Sequence, residues 1–428
     1  MDIFKEYDIR GIYPSEIDED EAFLIGRGVG KLAKKIYVDN DTRKGSKAIR
    51  GPFIDGLLKE GADVSDMGLG PVTLAAFASF REKSYGVSVT ASHNPAKYTG
   101  ILLYKNGLSV SPKLVKKAML KGELKKRRGR HEMIDYSGEY LNALKEVGDL
   151  SSINVGVDPM GGAGTKIVEE ALRMLNAKPF MLHSRFTENF YGKVPEPNRG
   201  NSAELMNFVR KNHLDFGVQL DGDADRAVFV DDEGNFIDPM ETALVFIKYL
   251  RIKSVIAAVS CSQKIEKYAK VEYVPVGRPF IEKALLKRKF DFGVESSAHY
   301  YFNRYYPFSD GILAALLMGK ILHDTKKRLH EILSGLPKIY MNSFSLNFED
   351  ENEREKAIRK IEDEITLKGK ISKIDGVKVF LREGYILVRK SNTEPLIRVM
   401  YEGKDKASFE RIERMAEGLK IYGGELAG

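Results

Sequence analysis

The sequence predicts an α/β protein of three parallel-type units followed by a small α+β domain, with all four facing one shared cleft. Three observations carry this. Segments of helical period alternate with short strand-like runs in the order typical of parallel α/β sheets. Polar clusters recur directly after the strand-like runs, where ligands bind in such sheets. Beyond Pro337 the alternation gives way to a different texture. A length of 428 residues suits three or four domains rather than one core.

Within residues 1–148, an amphipathic stretch from about Asp20 to Ile36 leads into "IYVDND". A second, from Lys47 to Glu60, leads into "ADVSDMG", and "VTLAAFASFREK" leads into "YGVSVTASHNP". Pro52 weakens the second helix unless it lies in the first turn. Residues 149–245 open on "INVGVDPMGGAGTKIVEEALRML", again strand, loop and helix, and continue to "FGVQLDGDADRAVFV". Residues 246–336 run from "KSVIAAVSCSQ" through "FDFGVESSAHYYF" to the apolar helix "DGILAALLMGKIL". In residues 337–428 a helical segment near 351–365 precedes two strands, "VKVFLREG" and "YILVRKSNTEPLIRVMYEG", and a helix near 406–420.

Composition narrows the function classes. Hydrophobic content of 43% with 30% charged residues is that of a soluble globular protein. A net charge of +7 is compatible with an acidic small substrate and does not imply nucleic acid. The basic run "KGELKKRRGRHEM" at 121–133 contains no Phe, Tyr or Trp for base stacking and reads as a solvated helix and loop face. The single cysteine, Cys261, rules out an intramolecular disulfide and suits a reducing cytoplasm. The N-terminus lacks a signal-peptide core and no apolar run reaches spanning length, so a cytoplasmic protein without membrane partners is expected. Two glycine-rich runs, "GRGVG" at 26–30 and "GGAGTK" at 161–166, lack the context of nucleotide-binding loops and read as tight strand-to-helix turns.

Four clusters carry chemistry. "DGDADR" places Asp221, Asp223 and Asp225 at alternate positions between two strands. In an extended segment these would aim at one point, and hard oxygen ligands suit Mg²⁺ or Ca²⁺. The sixth position is Arg226 and the twelfth Asp232, which excludes an EF-hand loop. "TASHNP" sets Ser92 before a turn stiffened by Pro95, which suits a serine oxygen held for nucleophilic chemistry. "VESSAH" offers Glu295, Ser297 and His299 on one face of an extended segment, a set able to read hydroxyls. "RKSNTEPLIR" gathers Arg389, Ser391, Asn392, Thr393 and Arg398 about a turn, in the manner of a phosphate cradle.

These clusters, in this order, resemble the α-D-phosphohexomutase family, in particular its phosphomannomutase/phosphoglucomutase branch, and "FKEYDIRG" is similar to the family's N-terminal signature. The resemblance spans nearly the whole chain. It implies three related α/β domains with mixed, largely parallel sheets and a smaller C-terminal α+β domain around a central cleft, in agreement with the segmentation. It further implies that Ser92 carries a phosphoryl group and that Asp221, Asp223 and Asp225, with the group on Ser92, bind Mg²⁺. Arg226 would hold the transferring phosphoryl. Glu295 and Ser297 would contact sugar hydroxyls, with His299 as proton carrier, while the Arg389–Arg398 cluster grips the distal phosphate. Tyr7, Arg10, Gly277 and Arg278 would line the cleft. The implied reaction moves a phosphoryl group between the 1- and 6-positions of a mannose or glucose phosphate, through a hexose 1,6-bisphosphate that also serves as activator.

Three positions depart from the family pattern. Asn392 and Ala298 stand where glycine is usual, and Leu102 stands where related enzymes commonly place a lysine. Leucine cannot move a proton. Lys105 would point to the opposite face of a regular strand, and Lys97 lies within the Ser92 loop. Phosphoglucosamine mutase is the alternative within the same chemistry, and a weakly catalytic sugar-phosphate-binding relative is the alternative outside it. The sequence leaves the oligomeric state open.

Overall fold

The computed structural model describes residues 3–122, 128–391 and 396–423. Among these, strands assemble into four sheets. In the first, Ile9–Ile12, Tyr98–Lys105, Tyr85–Val89, Lys35–Asn40, Asp63–Leu69 and His131–Met133 lie side by side, with Leu108–Ser109 beside Tyr98–Lys105. The last four in that row run parallel and the first two are antiparallel additions. The second sheet orders Phe236–Ile237, Ala227–Val230, Phe216–Leu220, Asn154–Asp158 and Lys178–Met181, the third Lys270–Val274, Ser254–Ala258, Phe292–Val294 and Tyr300–Phe302. Each again joins a parallel run to an antiparallel hairpin. The fourth, built from Met341–Asn347, Leu396–Gly403, Gly384–Lys390, Val377–Leu381 and Lys370–Ser372, is antiparallel throughout.

Several local expectations are corrected. The C-terminal unit has five strands among its described residues: Met341–Asn347 and Lys370–Ser372 lie outside the expected runs, and "YILVRK" and "LIRVMYEG" are separate arms of one hairpin. Residues His131–Met133 form an edge strand rather than a helix or loop face; residues 123–127 of the basic run lie outside the described residues. The helix Lys44–Lys59 runs through Pro52. The residue before Pro52 is Gly51, which has no Cβ to collide with the proline ring, so the usual restriction on a pre-proline residue is relaxed. "GRGVG" lies inside the helix Glu19–Gly30, not at a turn. A Cβ on Gly26 would stand 2.1 Å from the Phe53 carbonyl oxygen, and one on Gly56 2.2 Å from that of Phe23. Those glycines let two helix backbones touch. "GGAGTK" does form the turn between the strand Asn154–Asp158 and the helix Thr165–Met174.

One helix organises the interior. Gly311–Thr325 is apolar on nearly every face and is buried along most of its length, as an all-round hydrophobic helix must be. Its N-cap Asp310 accepts from the Ile312 and Leu313 amides at 2.8 and 2.9 Å, and from the hydroxyls of Tyr140 and Tyr306, both at 2.6 Å. A continuous apolar cluster joins this helix to residues of all three α/β units, including Phe77, Phe229 and Phe292. No helix among the described residues is long and apolar enough to cross a membrane.

The C-terminal unit docks on the third through a small apolar patch of Val259, Tyr385 and Leu387. Buried Lys378 crosses the same junction. Its ammonium donates to the Val259 carbonyl at 2.9 Å and lies 3.6 Å from the centroid of the Tyr385 ring. Burial pushes its pKa down from 10.5 to about 8. Between those values the unfolded chain holds more protons than the folded one, so this group's contribution to stability rises with pH. The stability difference between wild type and Lys378→Met should therefore move in favour of wild type, by up to about 3 kcal/mol, from pH 7.5 to 10.5. A flat difference in parallel urea titrations would refute a buried, charged Lys378.

Candidate active site

The Ser92 turn follows the strand Tyr85–Val89, and Ser92 adopts a left-handed backbone with φ +50°. For a residue with a Cβ this costs on the order of 1–2 kcal/mol, which the surroundings must supply. They are dense. The Ser92 amide donates to Thr90 Oγ1 at 2.9 Å, and its Oγ donates to Asp221 Oδ2 at 3.1 Å. The serine oxygen thus touches the acidic cluster directly.

The acidic cluster converges by a turn, not by strand alternation. Phe216–Leu220 and Ala227–Val230 are antiparallel arms, and the loop between them bends through Ala224 at φ +65°. Backbone bonds from every side pin the loop. Asp223 O accepts from Val72 N at 3.0 Å, Gly222 O from Ala163 N at 2.9 Å, and Ala224 O from Gly311 N at 3.1 Å. Arg226 and His299 form an isolated antiparallel bridge between the second and third units.

All three carboxylates are buried, and each offers an oxygen within 4.8 Å of the others. Burial, then the neighbouring charges, raises Asp221 well above the usual carboxylate range and Asp223 to about 6. Burial works against ionisation of Asp225 too, but His299 and then Arg278 overcome it and hold that carboxyl below its usual range. Among the described residues, Asp223 Oδ1 is buried without a hydrogen-bond donor. Hard, convergent, incompletely satisfied oxygens fit a divalent cation such as Mg²⁺.

Cations ring the cluster. Arg278 Nη1 donates to Asp225 Oδ2 at 2.8 Å and to Tyr104 Oη at 3.1 Å. Arg226 Nη2 lies 2.9 Å from His93 Nδ1, and its Nε is 3.8 Å from Asp221 Oδ2. His93 is held well below the usual histidine range by burial and by Arg226 and Arg10, so it is neutral and accepts from Arg226. His299 differs. Burial opposes its charge, but Asp225 raises its pKa overall. Its Nε2 stands 3.3 Å from Asp225 Oδ1 and 3.2 Å from Arg226 Nε. Protonated, that nitrogen donates to Asp225 rather than accepting from Arg226.

The "ESSAH" set also converges through a turn. Phe292–Val294 ends before Glu295, and Ala298 takes φ +68°. That left-handed backbone favours glycine, and here alanine bears the strain. Glu295 Oε2 is 3.2 Å from His299 Nδ1, Ser297 Oγ is 2.9 Å from the same nitrogen, and Gly277 N donates to Glu295 Oε1 at 3.2 Å. Tyr7 Oη donates to Val276 O at 3.0 Å, and Arg10 bonds Asn94 of the Ser92 turn, so the N-terminal signature joins the first and third units.

The "RKSNTEP" cluster makes no direct bond to these groups among the described residues. Asn392 and Thr393 lie outside them. Arg389 and Arg398 are directly opposed on neighbouring strands, and Ser391 N closes the hairpin on Leu396 O at 2.9 Å. Asp375 Oδ2 accepts from Arg389 Nε and from Val276 N, both at 3.0 Å, and so ties the cluster to the third unit.

Leu102 is buried in the apolar interior and faces Ser88 across the strand pair. Lys105 and Lys97 are exposed. Sequence reasoning missed Asp41, Arg43 and Thr90, which lie beneath the Ser92 turn. The available signal was a fifth polar cluster, "DNDTR", at the end of a strand.

Comparison with known proteins agrees with the geometry. Family models described as phosphoglucomutase/phosphomannomutase, alpha/beta/alpha domains I, II and III, match residues 1–124, 138–234 and 238–340. The C-terminal domain model of the same family matches residues 346–418. A phosphoglucomutase/phosphomannomutase from Thermococcus kodakarensis is 31% identical, covering 100% of this chain and 99% of its own. A probable phosphoglucosamine mutase from Methanocella arvoryzae is 30% identical over 98% of both chains. The crystal structure of a phosphoglucomutase/phosphomannomutase family protein from Burkholderia thailandensis superposes with a TM-score of 0.88 at 24% identity, covering 99% of this chain and 98% of that one.

A metal seat of this kind makes a direct prediction. Mg²⁺ at about a hundred times its dissociation constant should stabilise the wild type by about 2.7 kcal/mol, read as a rise in Tm. Asp223→Asn and Asp225→Asn should lose that rise while remaining folded. An undiminished rise in both would place the ion elsewhere.

Proposed function

The chain belongs to the phosphoglucomutase/phosphomannomutase family, and on that premise we propose that it interconverts the 1- and 6-phosphates of a hexose through phospho-Ser92. The observation that carries this reading is the 3.1 Å contact between Ser92 Oγ and Asp221 Oδ2. A nucleophile-bearing turn and an acidic metal seat meet at one buried point.

In the first step Ser92 Oγ releases its phosphoryl group to the free hydroxyl of a hexose monophosphate, giving a 1,6-bisphosphate. In the second, after the bisphosphate reverses, Ser92 Oγ takes the phosphoryl group from the other end. Mg²⁺ held by Asp221, Asp223, Asp225 and the group on Ser92 would neutralise charge on the transferring phosphoryl. Arg226 holds that group from the side, and neutral His93 orients the guanidinium. Glu295 and Ser297 read ring hydroxyls, and His299, which both of them touch, carries the proton to or from the reacting oxygen. Tyr7, Arg10, Gly277 and Arg278 shape the cleft where the first and third units meet. Arg389, Ser391, Asn392, Thr393 and Arg398 grip the phosphate that is not reacting. Such a grip needs only a phosphate, so it serves both orientations of the bisphosphate. A trace of hexose 1,6-bisphosphate would prime Ser92.

The resemblance to a probable phosphoglucosamine mutase supports a second reading with the same machinery and a different sugar at Glu295. Phosphorus NMR with Mg²⁺, a trace of hexose 1,6-bisphosphate and the 1-phosphates of glucose, mannose, glucosamine and N-acetylglucosamine in parallel separates the two. A 6-phosphate signal should grow fastest with mannose or glucose. Ser92→Ala should lose at least about 10³-fold in kcat. Silence in every tube with Ser92 phosphorylated would favour a sugar-phosphate-binding protein. Leu102→Lys should then be the variant that gains turnover; no gain beside an active wild type removes that alternative.

A further inference from the structure

Beneath the turn that carries Ser92 lies a guanidinium with no access to solvent. Arg43 follows the strand Lys35–Asn40 and immediately precedes the helix Lys44–Lys59. Its side chain is 0% exposed, as is that of its partner Asp41. Nε donates to Asp41 Oδ2 at 2.8 Å. Nη1 donates to the carbonyls of Pro95 and Tyr98 at 2.8 and 3.3 Å, and Nη2 to those of Ser92 and Asn94 at 2.5 and 2.7 Å. Every carbonyl it holds belongs to the turn 92–98. Phe190 of the second unit covers the guanidinium, its ring centroid 4.7 Å from Cζ.

Asp41 does more than balance the charge. Its Oδ1 accepts from the Arg43 amide at 3.0 Å, and its Oδ2 lies 2.8 Å from Thr90 Oγ1. That same hydroxyl lies 3.0 Å from Asp223 Oδ2 and accepts the Ser92 amide. A hydroxyl has one proton to give, so Thr90 serves either the carboxylate beneath the serine turn or the one in the acidic cluster. A polar path therefore runs from Arg43 through Asp41 and Thr90 to Asp223.

A turn of this length already has its own closures, including the bond from Asn94 N to Ala91 O at 3.1 Å and the ring of Pro95. A buried guanidinium is a costly addition if closure is all that is needed. What its planar fork adds is a fixed direction for successive carbonyls, beginning with that of Ser92 itself. Fixing that carbonyl, together with the Ser92 amide held by Thr90 Oγ1, sets ψ and φ and so decides where the side chain on the same Cα points. We propose that Arg43, with Asp41 as counterion, is the positioning residue that locks Ser92 in its left-handed conformation and holds Oγ against Asp221 for phosphoryl transfer. The inference rests on the proposed mutase chemistry for its catalytic part only.

Arg43→Lys keeps the charge beside Asp41 but replaces the fork with a point donor. It should remain folded, keep the Mg²⁺-dependent rise in Tm, and leave KM within about threefold of wild type, while kcat falls about 100-fold. In the unphosphorylated protein without substrate, amide hydrogen exchange across residues 91–98 should accelerate. Should Arg43→Lys not fold, the double variant Asp41→Asn/Arg43→Gln, neutral on both sides, carries the same expectations. Unchanged exchange, or kcat within about threefold of wild type, overturns the inference. So does a loss of kcat that comes only with loss of Tm and of the Mg²⁺ response, which is general damage. A wild type without mutase activity would sink the functional reading alone, because the exchange comparison still decides whether Arg43 fixes the turn.

Discussion

Three carboxylates buried at one point are the constraint around which the rest of this protein is arranged. Isolated, they would take up protons, and burial drives Asp221 and Asp223 in that direction. The chain answers with cations drawn from separate units: Arg226 beside the cluster itself, and Arg278 and His299 from the third unit. The second and third units must therefore stay in register, and the Arg226–His299 bridge and the Gly311 amide on Ala224 O hold them there. The first unit adds the Val72 amide on Asp223 O. Electrostatics asks for convergence, and the backbone supplies it.

The means of convergence is turn geometry at the ends of strands. Ser92, Ala224 and Ala298 all adopt left-handed backbones, and none of them is glycine. Strain of this kind persists only where neighbours over-determine the conformation. At Ala224 and Ala298 the neighbours are hairpin arms and the shared helix start; at Ser92 they are the buried polar groups below the turn. Sheets and helices act as a rigid frame, and the polar clusters sit on the short connections it holds in place.

Much of this was legible in the residues. The alternation of strand and helix, the change beyond Pro337 and the four polar clusters in order pointed to the family, because each depends on local chemistry that one segment displays by itself. Asp221, Asp223 and Asp225 could be read as one site from their spacing alone. The reason assigned to that spacing, an extended strand, was mistaken, since Ala224 bends the loop and alanine does not announce a left-handed residue. Pro52 misled in the same way, because the relief came from the preceding Gly51. Arg43 was invisible because its meaning lies in carbonyls some fifty residues away, and carbonyls have no sequence signature. The pairing of Lys378 with Val259 and the Tyr385 ring is likewise a tertiary fact.

Asp375 has a consequence for what can settle in the fourth unit. Its carboxylate already occupies Arg389 and simultaneously holds the Val276 amide. The Arg389 guanidinium thus already holds an anion tethered to the frame. A neutral sugar offers the arginine nothing in exchange. A singly charged group merely matches what is displaced, whereas a phosphate dianion with several acceptor oxygens exceeds it. Under the proposed function, selection at this end would be by charge and valence rather than by the identity of the ring, leaving discrimination among hexoses to the opposite end.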